Sequence, residues 1–187
     1  MHHITKQQLQ TYCQKYPEEA ATVEAIENHL MHLRDHTYSK DKVSGSAWIF
    51  NPKNEKILLT HHKKMDKWVQ PGGYAEKADL QNIQITAQRE SIEESGVTDI
   101  TLLTSDIFNI NIDLYTHTDT PYYLYDFCFL FSTTQEKLQP PHDESKQIKW
   151  VSNAEIVHTS EFKSIQPLSR KWQLFCHLKS LSSTSGH

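Results

Sequence analysis

The sequence predicts an α/β fold, a mixed sheet covered by helices on both faces, and three observations carry that expectation. Apolar spacing is helical at both ends and in the middle of the chain and strand-like between. The 187 residues suffice for one domain with a real core. A content of 37% hydrophobic and 22% charged residues fits a globular chain and not a disordered one. Strands before and after a central helix, with more helix at the ends, imply an α/β/α sandwich.

Taken in order, Leu9, Tyr12, Cys13 and Tyr16, then Val23, Ile26, Leu30 and Leu33, repeat at helical spacing, with Pro17 placed to start the second helix. A polar linker, DHTYSKDKVSGS, follows. AWIF and KILLT flank the turn-rich NPKNEK and read as two strands joined by a loop, with Trp48 and Trp68 as core residues. The Pro-Gly-Gly of HHKKMDKWVQPGGY reads as a turn or loop. Asp79 is placed to cap a helix running to about Ser95, where Gly96 is a natural stop. DIFNINIDLY and YYLYDFCFLFSTT read as long strands around THTDTP. QIKWV reads as a short strand, and Leu168, Trp172, Phe175 and Leu178 as a final amphipathic helix after Pro167, before a frayed SSTSGH tail.

A net charge of −4 with histidines neutral gives nothing that attracts nucleic acid or anionic lipid. MHHITKQQLQ lacks the apolar core of a signal peptide, and no run approaches the roughly 20 apolar residues of a membrane span, so a cytoplasmic protein without nucleic-acid or membrane partners is expected. Cys13, Cys128 and Cys176 are too scattered for a disulfide framework or a structural zinc site, and no histidines have HExxH spacing.

The informative stretch is RESIEESG. On a helix, Glu90, Glu93 and Glu94 share one face, at a cost of roughly 0.2–0.5 kcal/mol per like-charged pair. The negative end of the helix dipole adds to the repulsion. A bound cation would offset it; a solvated charged surface is the competing reading.

Gly73, Asp79 and RESIEESGV together resemble the signature of Nudix hydrolases, Gx5Ex7REUxEExGU with U a bulky aliphatic residue: Arg89, Glu90, Glu93, Glu94, Gly96 and Val97 all fit. The early acid is Asp79 and not Glu, nine residues separate it from Arg89 where the pattern has seven, and Ser91 replaces the first aliphatic residue. HHKKMDKWVQPGG is also similar to an uncharacterised bacterial subgroup with Trp, Gln and Pro-Gly-Gly before the signature. The resemblance covers residues 42–160, a Nudix domain, leaving 1–41 as an N-terminal helical extension and 161–187 as a C-terminal helix and tail packing on the same domain.

The resemblance implies attack of water on phosphorus in a nucleoside diphosphate linked to another moiety, with Mg2+ as cofactor and Mn2+ as substitute. A diphosphate repels an anionic nucleophile, so divalent ions must neutralise it and lower the pKa of the attacking water, and magnesium prefers oxygen ligands. Glu90 and Glu94 would be the leading metal ligands, Glu93 a further ligand or the base that orients water, and the Gly73 carbonyl would complete the site. Arg89 would pair with a neighbouring glutamate. Further acids are Glu76 or Asp79, the latter also a helix cap; Asp126, which must be hydrogen-bonded or have a raised pKa; and Asp143 or Glu144 in a polar loop. Tyr74 is a substrate contact or a packing residue. Lys64, within the run from His61 to Lys67, draws in phosphate or belongs to an exposed hairpin tip. The N-terminal helices form a packing cap or a homodimer contact. Two other readings are a non-catalytic Nudix domain that binds a nucleotide derivative and regulates a partner, and an isomerase related to isopentenyl diphosphate isomerases, for which Cys128, inside a strand, is out of place.

Overall fold

Thr5 opens the first helix with a reciprocal cap. Its hydroxyl accepts from the Gln8 N–H at 3.1 Å while the Gln8 side chain accepts from the Thr5 N–H at 3.0 Å, satisfying two amides that helix geometry leaves unpaired. The computed structural model describes residues 4–35, 40–76, 79, 82–116, 119–139 and 144–184. Helix α1 spans Lys6–Lys15, and Pro17 starts a 3-10 turn, Pro17–Glu19, that leads into α2, Ala20–Asp35. Leu9, Tyr12, Val23 and Ile26 are buried, as their spacing predicts; the side chains of Leu30 and Leu33 lie outside the described residues.

Eight strands make one mixed sheet: β1 Lys42–Asn51, β2 Lys56–His62, β3 Lys67–Val69, β4 Gly72–Tyr74, β5 Thr101–Leu102, β6 Asn109–Tyr115, β7 Tyr122–Ser132 and β8 Ser145–Ser152. The path is β3-β2-β1-β7-β5, with β4 added to β1, β6 to β7 and β8 to β2. β1 and β7 run parallel, from Lys42 opposite Leu124 to Phe50 opposite Ser132. The opposite edge of β1 changes partner along its length. Ser44, Gly45 and Ser46 pair antiparallel with Tyr74, Gly73 and Gly72, whereas Phe50 and Asn51 pair with Ile57 and Lys56 of β2.

Three expectations are corrected here. The Pro-Gly-Gly segment is not simply a turn: Gly72 and Gly73 belong to β4, and they are glycines because a Cβ at Gly72 would lie 2.6 Å from the Ser46 Cβ. The end of the polar linker is strand, since Lys42–Ser46 opens β1, where Gly45 lets the central helix approach to a distance a Cβ would block. That helix, α3, spans Ile83–Ser95 and is capped by Asn82, whose side chain accepts from the Gln84 N–H at 3.1 Å; Asp79 is not its cap. Gly96 ends it in the left-handed conformation, φ 68°, where glycine is unstrained.

Helices cover both sheet faces. One core holds Val43, Ala47, Ile83, Ala87, Phe127 and Phe129 with the N-terminal helices; the other holds Trp48, Trp68, Leu130 and Val151 with α4, Asn153–His158, and α5, Gln166–Thr184. α5 reaches Thr184, into the stretch expected as a frayed tail, whose last three residues lie outside the described ones. Lys171 of α5 ties down the N-terminal helices: its Nζ lies 2.5 Å from Glu19, 2.6 Å from the Tyr12 hydroxyl and 2.7 Å from Asn109 Oδ1. Among the described residues no helix is long and apolar enough to cross a membrane.

Candidate active site

The last turns of α3 carry the crowded acids, and packing on β1 and β4 fixes where they sit. A Cβ at Gly45 would come within 2.6 Å of the Ile83 carbonyl oxygen and 2.8 Å of the Ala87 nitrogen, so glycine there lets helix and strand touch through their backbones. Ser91, where the family pattern has an aliphatic residue, is buried and turns its hydroxyl back onto the Ala87 carbonyl at 2.6 Å. No polar atom is left stranded by that departure.

Glu94 is 7% exposed, and its Oε2 is buried without a hydrogen-bond partner. Burial, together with the charges of Glu90, Glu144 and Glu93, pushes its pKa up to about 8, opposed by the hydrogen bond that the Gly72 N–H donates to its carboxylate. Burial also raises Glu90, against the pull of Arg89. Gly73 gives the Glu90 carboxyl room: a Cβ there would fall on all three of its heavy atoms, with Oε1 at 2.6 Å.

Arg89 organises the acids around it. Its Nη1 donates to Glu90 at 2.7 Å and to Glu93 at 3.2 Å, its Nη2 to the Tyr74 carbonyl at 3.2 Å and to Asp79 at 2.8 Å, and its Nε to Asp79 at 3.1 Å. Asp79, 7% exposed at its side chain, is thus the inner partner of the guanidinium, while Glu76 stands 3.9 Å away and largely exposed. Among the described residues no three acidic, histidine or cysteine side chains converge on one point as a metal cage; Glu90 and Glu93 are paired with Arg89.

The remaining expected residues divide. Glu144, beside the start of β8, faces the acids closely enough to raise both Glu90 and Glu94; Asp143 lies outside the described residues. Lys64 is in the exposed turn between β2 and β3, its N–H bonded to His62 Nδ1 at 3.2 Å, and no ion pair ties its ammonium to the glutamates. Trp48 and Trp68 are core. The Tyr74 ring and Asp126 lie on the other face of the sheet. Asp126 accepts from the Ser44 and Ser46 hydroxyls, each at 2.7 Å, and from Gln70 Nε2 at 3.4 Å; burial raises its pKa and these donors oppose the rise. Cys128 is fully buried, which leaves the isomerase reading without an accessible thiol.

Sequence reasoning missed the Gly72 N–H, the two serines and the aromatic partners of Tyr74. Ser44 and Ser46 recur at period two, a strand signal, but their meeting with Asp126 depends on the parallel register of β1 on β7.

The family model of the NUDIX domain matches residues 40–172. The chain belongs to the Nudix family, whose hydrolases act on phosphoanhydride bonds and generally use divalent metal ions. Solved structures share the fold. A Nudix-family hydrolase from Clostridium perfringens is 22% identical with a TM-score of 0.56 over 73% of this chain and 99% of that one. The Ap4A hydrolase of C. elegans in a binary complex is 17% identical with a TM-score of 0.54 over 73% and 98%. The Nudix domain of Shewanella oneidensis NrtR complexed with ADP-ribose is 15% identical with a TM-score of 0.54 over 78% and 97%. No curated protein matches the sequence.

Proposed function

We propose that the chain is a Mg2+-dependent hydrolase that splits the diphosphate bond of a nucleoside diphosphate linked to a second moiety. One observation carries the reading: Glu94 is buried with an unpartnered carboxylate oxygen and faces Glu90 and Glu144. A buried acid of that kind is costly unless it is protonated or binds a cation, and an all-oxygen donor set suits magnesium.

When bound, the ion would neutralise the diphosphate and lower the pKa of the attacking water. Glu94 and Glu90 are the residues to hold it; the register of β4 on β1 turns the Gly73 carbonyl, expected to complete the site, toward Gly45. Glu93, whose side chain is 54% exposed, is placed to orient water at the open side. Glu144 is the additional acid, brought from a separate loop. Arg89 is a positioning residue: anchored on Asp79, it aligns Glu90 and Glu93 and is spent on them, not on phosphate.

The test is release of phosphate and nucleotide from a panel of nucleoside triphosphates, nucleotide sugars, dinucleotide polyphosphates and ADP-ribose, with and without Mg2+. Metal-dependent cleavage that disappears in Glu94→Gln is the expected result. Full activity in that variant would overturn the site. Silence of the wild type across the panel, alongside a panel member that raises the melting temperature, would favour the non-catalytic binding module.

A further inference from the structure

Glu144 reaches the other acids from a distant part of the chain, and the backbone around it is what the fold fixes. Its residue is exposed, and its charge is felt by Glu90, Glu94 and His62. The Lys63 N–H donates to the Glu144 carbonyl at 2.9 Å. Ser145, the next residue, is buried and shares a 2.6 Å hydroxyl bond with Thr60 of β2.

The turn that supplies the Lys63 N–H is closed by His62. Its Nδ1 accepts from the Lys64 N–H at 3.2 Å and from the Met65 N–H at 3.4 Å, and its carbonyl accepts from the Asp66 N–H at 2.9 Å. The imidazole thus bonds across Lys63, joining the residues on either side of it and fixing which way the Lys63 N–H points. An acceptor at Nδ1 leaves the ring proton on Nε2. Burial, which lowers the His62 pKa against the charge of Glu144, favours that neutral ring.

β8 meets this turn through a bulge. Gln147 faces His61 and Ser145 faces His62, so Lys146 is the extra residue, and its ammonium reaches Asp66 in the turn at 2.5 Å. A bulge re-aims the residues beside it. Leu58, which packs with Ile83 and Ala87 of α3, alternates along β2 with Thr60 and His62, so all three share the α3 side of the sheet. The His62 ring therefore lies on the same side as the acids, and its turn is tied to β8 at Glu144 and again at Lys146.

We infer that His62 is a positioning residue for Glu144: its imidazole clasps the β2–β3 turn, and the clasped turn presents the Lys63 N–H that sets where Glu144 enters the site. The inference rests on the proposed reading of Glu144 as an additional acid of a metal site. Only the Nδ1 acceptor serves the clasp. Asn offers an equivalent oxygen, since its side chain accepts from a backbone N–H two residues on. Phe keeps a ring and has no acceptor.

The test is calorimetric titration of the metal-free chain with Mg2+ alone, for wild type, Glu144→Gln, His62→Phe, His62→Asn and the double variant of Glu144→Gln with His62→Phe. Glu144→Gln and His62→Phe are each expected to weaken binding roughly tenfold. The double variant should stay within about threefold of Glu144→Gln, because both changes act through the same acid. His62→Asn should stay within about threefold of wild type. Losses that multiply to about a hundredfold in the double variant overturn the inference, as does an equal loss in His62→Asn and His62→Phe, which would make His62 merely structural. If His62→Phe does not fold, His62→Ala takes its place. Weakened binding in Glu144→Gln with none in His62→Phe overturns the inference alone and leaves the metal site standing. Unchanged binding in Glu144→Gln removes that acid from the site and the inference with it, and a wild type that does not bind Mg2+ overturns the metal reading as well.

Discussion

Replacing Glu94 with Gln keeps the shape of the side chain and removes a charge that the fold holds at a loss. In the folded chain this carboxyl ionises near pH 8, against an ordinary value of 4.5. At about 1.36 kcal/mol per pH unit, the ionised form is disfavoured by roughly 5 kcal/mol. The folded state holds the proton more tightly than the unfolded chain, so the associated stability is complete below pH 4.5 and is lost as pH rises through 8. Gln has no such dependence, but its amide leaves donors in a place where Oε2 had no partner, at about 1–3 kcal/mol. Metal-free Glu94→Gln should therefore exceed wild type by about 2–4 kcal/mol at pH 9, or roughly 4–16 °C in a chain of this size, and lose that advantage at pH 5. Thermal unfolding in a chelator at both pH values measures it. Added Mg2+ should raise the melting temperature of wild type at pH 9 and leave the variant where it was. A difference between the two proteins that is the same at pH 5 and pH 9 would refute the reasoning, since it would mean that the Glu94 charge is not costly in the fold.

Three further perturbations address neighbouring features. Gly73→Ala would drive a methyl into the Glu90 carboxyl, which can swing aside; melting temperature should fall by only a few degrees while metal-dependent turnover drops on the order of 100-fold, separable by calorimetry and kinetics. Arg89→Ala strands the buried Asp79 carboxylate and should destabilise by about 3 kcal/mol in denaturant titration, against less than about 0.5 kcal/mol for Glu93→Gln at its exposed position. Lys171→Ala removes the cation shared by Glu19, Tyr12 and Asn109 and should cost about 3–5 kcal/mol, with Lys171→Met combined with Glu19→Leu recovering most of it.

What the sequence reveals unaided is what is local. Three glutamates at helical spacing followed by glycine announce themselves, because charge crowding and a left-handed helix stop are decided within one turn, and α3 ends at Gly96 as expected. The helix start is a different matter. Asp79 and Asn82 are both good caps; the choice falls to Asn82 because Asp79 is drawn to Arg89, ten residues on, a tertiary pairing that no local rule contains. β4 is illegible for a similar reason. Gly-Gly-Tyr has little strand propensity, and it is strand only because Ser44–Ser46, some thirty residues earlier, offer it an edge. The lysines of the basic run lie exposed at the β2–β3 turn, as a hairpin tip would, yet the approach of Glu144 to Glu94 depends on how β8 lies along β2.

The tie between Lys171 and Tyr12 spans 159 positions of sequence, and that separation bears on how the protein is made. Tyr12 is synthesised 159 residues before its cation. At about 5–20 residues per second, the N-terminal helices wait on the order of 10–30 s before Lys171 exists. Throughout that interval Glu19 lacks its Lys171 partner. The Lys171 contact is therefore made only after synthesis has delivered the whole sheet and much of α5, so helices translated early receive this tie late.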